Sequence, residues 1–149
     1  MQQQSLYNAD FNAWALDEAK KLKLRKFDAL DIDHLVEEIE DMSKREISSL
    51  ESRLVVLIMH LIKWQIQTQK QCGSWKGTIS SQRLKIKKLL KKMPSLKNHL
   101  HDLIQDADVY QDALQKASEE TGIHKRLFPQ KLPYSQEQIL DNDFYPDDE

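Results

Sequence analysis

The chain has 149 residues, with 22 basic and 24 acidic side chains, four Pro, three Gly and a single Cys. That length suits one domain that can hold a core without covalent staples. One cysteine excludes an internal disulfide framework, and three scattered Gly exclude a phosphate-cradling glycine loop.

The low Gly and Pro content, with abundant Glu, Lys, Leu and Gln, favours long helices. Charge is unevenly placed. Residues 1–51 carry 7 basic and 12 acidic side chains, residues 52–101 carry 11 basic and none acidic, and residues 102–149 carry 4 basic and 12 acidic. The opening Met1 to Ser5 lacks the basic start and apolar run of a secretory leader. The most apolar stretch, Leu54 to Ile62, contains His60, is followed by Lys63, and is too short to span a bilayer. A soluble, cytoplasmic protein with no membrane partner is expected.

In chain order, the first helix is predicted over about 8–24. Tyr7, Phe11, Trp14 or Ala15, Ala19 and Leu22 repeat at helical spacing, with Asn8 as N-cap. The second is predicted over 31–71. Ile32, Leu35, Val36, Ile39 and Met42 form one stripe. Ile47, Leu50, Leu54, Leu57, Leu61 and Trp64 form another, out of phase with the first near Ser43. A straight helix of ~40 residues would measure ~60 Å, longer than a compact globule of this size at ~40 Å. Either the domain is elongated or the helix kinks near 43–46.

Cys72-Gly73-Ser74 reads as a turn with Ser74 as the next cap. The third helix, 75–93, pairs back on the second as an antiparallel hairpin through Trp75, Ile79, Gln82, Ile86, Leu89 and Met93. Pro94 stops it. A fourth helix is predicted over 95–121, capped by Ser95 and ended by Gly122. A short one follows over 135–140, where Ser135 and Gln138 match a capping box. No strand-like alternation stands out. The expected fold is all-α: a single domain over 1–149, an elongated helical bundle around a long, kinked central helix.

Several stretches carry a resemblance. They are Tyr7-x-x-Asp10-Phe11-x-x-Trp14-Ala15, Leu35-Val36-Glu37-Glu38-Ile39-Glu40, Leu50-Glu51-Ser52-Arg53-Leu54, His60-Leu61-Ile62-Lys63-Trp64-Gln65, Ser74-Trp75-x-x-Thr78-Ile79-x-x-Gln82-Arg83, Pro94-Ser95-Leu96 and Asp141-x-Asp143-Phe144-Tyr145-Pro146. Together, in this order, they resemble the domain of unknown function 29 family, bacterial proteins frequent in cyanobacteria. The resemblance implies an all-α fold and no assigned activity.

Three constellations bear on chemistry. Glu46, Arg53, His60 and Gln67 recur every seven residues, which stacks them ~10 Å apart along one line of the second helix. Arg53 and His60 also resemble the Arg-x(4–6)-His pattern of the HEPN helical nucleases. That resemblance implies metal-independent RNA cleavage, with His60 as general acid or base and Arg53 steadying phosphate charge. A line of polar side chains flanking an apolar seam is the plainer account of the same spacing.

The second constellation is the basic window. Lys76, Arg83, Lys85, Lys87, Lys88, Lys91 and Lys92 crowd the third helix, with Lys63 upstream. Lys63, Lys76, Arg83 and Lys87 are expected to contact a nucleic acid or another anion. Acidic neighbours in the bundle could cancel that field instead. The third is metal binding: His99 and His101 are two apart and point to opposite sides of a helix, so no metal and no cofactor are expected.

The reading that best fits these features is a protein-interaction or self-association module, partnered by another protein or by its own copy. The alternative is a small ribonuclease or nucleic-acid-binding protein of the toxin–antitoxin type, using Arg53 and His60.

Overall fold

A computed structural model describes residues 5–147 of the chain. Residues 1–4, most of the stretch read above for a leader, lie outside the described residues. The fold is all-α, and no strand occurs among the described residues. No helix among them is long and apolar enough to cross a membrane.

The start of the chain departs from the single helix predicted over 8–24. Ser5 caps a one-turn helix, α1 (Leu6–Ala9), by accepting from the Asn8 N–H. Asp10 then adopts extended backbone, ends α1, and caps α2 (Phe11–Lys23) by accepting from the Ala13 N–H at 3.0 Å. The aspartate side chain supplies the acceptor that free helical N–H groups need, so it restarts the helix two residues past Asn8. Lys20, Lys21 and Lys23 sit in the last turn of α2, where cations complement the helix dipole.

The long helix α3 (Ile32–Ile66) stays helical through Ser43 to Glu46 and ends five residues before Gln71. A short 3-10 turn over Thr68–Lys70 follows. The next helix, α4 (Gly73–Lys92), starts at Gly73 with Cys72 in the capping position, so Ser74 lies inside the first turn. The segment predicted as one helix over 95–121 is two: α5 (Leu96–Gln105) and α6 (Ala107–Thr121). Asp106 divides them, with extended backbone and a side chain that accepts from the Asp108 N–H at 2.9 Å. Gly122 ends α6 in the left-handed region at φ 73°, which glycine reaches without steric cost. Ser135 and Gln138 form the reciprocal capping box of α7 (Gln136–Leu140).

The contacts group the chain into two compact units that part between Arg45 and Glu46. In the second unit, α3 packs against α4 and α6. Leu50, Leu54, Leu57, Ile58, Leu61 and Ile62 of α3 are fully buried, together with Ile79, Ile86, Leu100, Ala113, Ala117 and Ile139. Burying each large aliphatic side chain contributes about 1.5–3 kcal/mol.

The first unit is built differently. Trp14 is its one buried apolar side chain among the described residues, and Glu18 is buried on the same helix. Polar bonds hold the rest. The Trp14 indole N–H donates to Asp31 Oδ2 at 3.0 Å, and the Asp31 backbone N–H donates to Glu18 Oε2 at 3.0 Å. His34 Nδ1 lies 2.6 Å from the Asp31 carboxylate and stacks on Tyr7, whose hydroxyl donates to Glu38.

Candidate functional site

The polar line of α3 is not one site. Arg53 is half-buried and its Nη1 lies 3.5 Å from Gln82 Oε1 of α4. His60, two turns on, is also half-buried, and its Nδ1 lies 2.8 Å from the Val56 carbonyl one turn back. That contact makes Nδ1 the proton-bearing nitrogen and leaves Nε2 as an acceptor. Desolvation pushes the His60 pKa down, with Lys63 adding to the effect, while the Val56 carbonyl and Glu120 pull the other way. A neutral imidazole bonded to its own helix is what this position favours. The Arg53 and His60 side chains are each engaged with a different neighbour and share no hydrogen bond with one another.

The expected anion contacts divide into two kinds. Lys63 and Arg83 are buried, contrary to the outward-facing role expected of them. Lys63 Nζ pairs with Glu120 Oε2 at 2.6 Å and sits over the Trp75 ring. Arg83 is completely enclosed. Its Nε donates to the Ile139 carbonyl at 2.8 Å, and its Nη2 donates to the carbonyls of Gln138 at 3.2 Å and Phe144 at 2.8 Å. Burial pushes the guanidinium pKa down, and the nearby Tyr145 and Asp141 oppose that shift. Lys76 and Lys87 are outside the core. Lys76 lies 5.4 Å from the Tyr145 ring centre, and Lys87 donates to Asn142 Oδ1 at 3.0 Å.

The basic window is not cancelled by direct pairing. Among the described residues, no lysine of α4 has a carboxylate oxygen within 4.0 Å. Lys85, Lys88 and Lys92 are exposed and recur at three and four residues, so they share one face of α4. With Glu46, Ser49 and Arg53 of α3, and with Leu89, they line an open groove of about 300 Å³. These lysines belong to the basic window, but their placement beside Arg53 depends on the pairing of α3 with α4, which sets Gln82 against Arg53.

A second hollow, of about 400 Å³, lies at the α5–α6 joint and is lined by Asp106, Tyr110, Lys131, Tyr134 and Gln136 among others. Its two tyrosine hydroxyls are already engaged, Tyr110 with the Pro129 carbonyl and Tyr134 with Gln65. No three His, Cys, Asp or Glu among the described residues are placed to hold a metal ion together.

The first unit offers a different kind of surface. On the first half of α3, Ile32 is 54% exposed, Val36 48%, Ile39 62% and Met42 58%. On and around α2, Leu6, Phe11, Leu16, Leu22, Leu24 and Phe27 are exposed too. The helical spacing of the stripe is legible in the sequence, but spacing alone does not say what covers it.

The family model described as Domain of unknown function DUF29 matches residues 6–145. The chain belongs to the DUF29 family. No curated protein and no solved structure matches it. The match spans both units of this DUF29 chain, so the bare apolar stripe and the basic groove both fall within the family region.

Proposed function

We propose that this DUF29 protein is a protein-interaction module that self-associates through the apolar face of its first unit. One observation carries the reading. Among the described residues, ten of the twelve exposed large apolar side chains lie between Leu6 and Met42, in a unit whose only described buried apolar side chain is Trp14. A segment of this size cannot stabilise itself on one buried indole, and a cluster of bare aliphatic and aromatic groups is the usual mark of a surface that is covered in use. A second copy carries the same face, so two such faces form an isologous pair without any further partner.

The test is sedimentation equilibrium across micromolar concentrations, on the wild type and on Ile39→Asp combined with Met42→Asp. The wild type is expected to dimerise. The double variant, with unchanged far-ultraviolet circular dichroism, is expected to remain monomeric. A monomeric wild type, or a double variant that dimerises as well, removes the proposal.

A second reading is favoured by the unpaired lysines of α4 and their groove with Arg53: the chain binds nucleic acid. What supports this is a surface with four cations to one carboxylate, Glu46, in which no lysine of α4 has a carboxylate oxygen within 4.0 Å among the described residues. His60 is not among the side chains that line the groove, so this reading concerns binding, with cleavage tested separately by comparing RNA integrity after expression of wild type and His60→Ala.

A further inference from the structure

We infer that the groove between α3 and α4 is a phosphodiester-backbone contact in which Arg53, Lys85, Lys88 and Lys92 neutralise successive phosphates without reading sequence; this rests on the nucleic-acid reading and not on the apolar face. Four cations and one carboxylate, Glu46, line the groove. Glu46 has no ion-pair partner within 4.0 Å among the described residues, so the groove keeps an excess of three positive charges. Of the four cations, Arg53 is the one that is partly buried, with Nη1 3.5 Å from Gln82 Oε1. Its remaining guanidinium N–H groups suit bidentate contact with phosphate oxygens. The lysines above it are flexible point charges, suited to a backbone whose exact path varies.

The extent of the surface points to a polymer. Lys85, Lys88 and Lys92 span seven residues of α4, or ~10 Å, along the groove face, with Lys91 exposed beside them, whereas Lys76 lies about half a turn round the helix, beside Tyr145. Lys97 continues the exposed cations on α5. A single small phosphate needs an enclosed cradle with converging donors, and this groove is open. An extended chain of phosphates matches a row of unpaired cations on one helix. No exposed aromatic side chain lies in the groove lining, so base stacking is not part of the contact. Affinity then comes almost wholly from counterion release and falls steeply with salt.

The experiment is fluorescence anisotropy with labelled RNA and DNA oligonucleotides, single- and double-stranded, between about 50 and 200 mM salt. Three proteins are compared: wild type, Lys85→Gln/Lys88→Gln/Lys92→Gln, and a charge-matched control with Lys116→Gln/Arg126→Gln/Lys131→Gln, all three exposed and outside the groove. Circular dichroism verifies that each is folded. The groove variant is expected to bind at least tenfold more weakly, with a salt slope shallower by about one per lysine removed. The control is expected within twofold of wild type. Arg53→Lys, which keeps charge but loses the fork, is expected to weaken binding without changing that slope.

If the wild type binds none of the four oligonucleotides at the lowest salt, the nucleic-acid reading itself fails. If it binds, but the groove variant and the control lose affinity equally, the groove assignment alone fails. If polyglutamate displaces the oligonucleotide at equal charge concentration, the surface is a general anion site and the phosphate assignment is overturned.

Discussion

Lys63 Nζ lies 2.6 Å from Glu120 Oε2, joining α3 to α6, and the same ammonium sits 4.6 Å from the Trp75 ring centre. The pair is lopsided: the lysine side chain is 8% exposed and the glutamate 50%. Removing the exposed partner leaves the buried one charged and uncompensated. Glu120→Gln is therefore expected to lower unfolding stability by roughly 1–2 kcal/mol, between the values for surface and buried pairs. The neighbouring Glu119→Gln should fall within about 0.5 kcal/mol of wild type. Urea titrations with equal m values check both, and equal effects of the two substitutions would contradict the asymmetry.

His60 sets a pH dependence of known sign. Its folded pKa lies below the usual ~6.5, chiefly through desolvation. As pH falls through ~6.5 the unfolded chain takes up the proton first, which favours unfolding. The contribution of neutral His60 is thus complete above ~6.5 and is lost as pH falls from there to the folded pKa. His60→Gln should flatten the decline in stability between about pH 7.5 and pH 5.5. A variant that declines as steeply as wild type would assign the effect elsewhere.

Arg83 joins α4 to the segment that holds α7 and Phe144. Arg83→Met removes the donor to three backbone carbonyls at once, and Arg83→Lys retains the charge but cannot span all three. Both variants are expected to lose about 2–4 kcal/mol. Hydrogen exchange should speed up over residues 136–145 in either. Retained protection there would mean that Ile139 and its apolar neighbours hold the segment without the guanidinium.

Asp31 ties the first unit together, as acceptor for the Trp14 indole and the partner of His34. Asp31→Ala is expected to accelerate exchange across α1, α2 and the first turns of α3, with residues 50–62 unchanged. Acid should act the same way. The hydrogen bond from His34 is the chief cause that holds the Asp31 pKa below the ordinary aspartate value. Its contribution is intact above that ordinary value and is lost as pH falls through the lower folded one. Uniform exchange across both units after the substitution would show that they unfold together.

The sequence made some of this legible. The seam from Leu50 through Leu54, Leu57 and Leu61 could be read because an apolar side chain recurs wherever the helix meets its neighbours. The phase change near Ser43 was also visible. Its location falls beside the division between the two units, at Arg45 and Glu46, while the backbone stays helical there. Periodicity reports where side chains point, and a helix can change what it faces without breaking.

The polar contacts were far less legible. Glu18 sits four residues after Trp14, on the buried line of α2, yet one-residue uncertainty in helical phase favoured Ala19 instead. Asp106 reads as one more exposed acid until its side chain is seen to cap α6. Arg83 and Lys63 looked like surface cations because composition carries no record of which side chain finds carbonyls or a carboxylate inside the bundle. For the groove, the spacing of Lys85, Lys88 and Lys92 was present in the sequence, but Arg53 opposite them depends on tertiary register.

The bonds from Arg83 to residues 138, 139 and 144 also have a consequence for biosynthesis. Their acceptors lie 55 to 61 residues downstream of the arginine. At about 5–20 residues per second, a ribosome takes roughly 3–12 s to make that stretch. Until Gln138 is added, a nascent chain holds this guanidinium with none of its three carbonyls yet made, and the Phe144 carbonyl comes last. The full set of contacts around Arg83 therefore cannot close until translation has passed Phe144, and a chain cut short before Gln138 would lack every acceptor for that buried guanidinium.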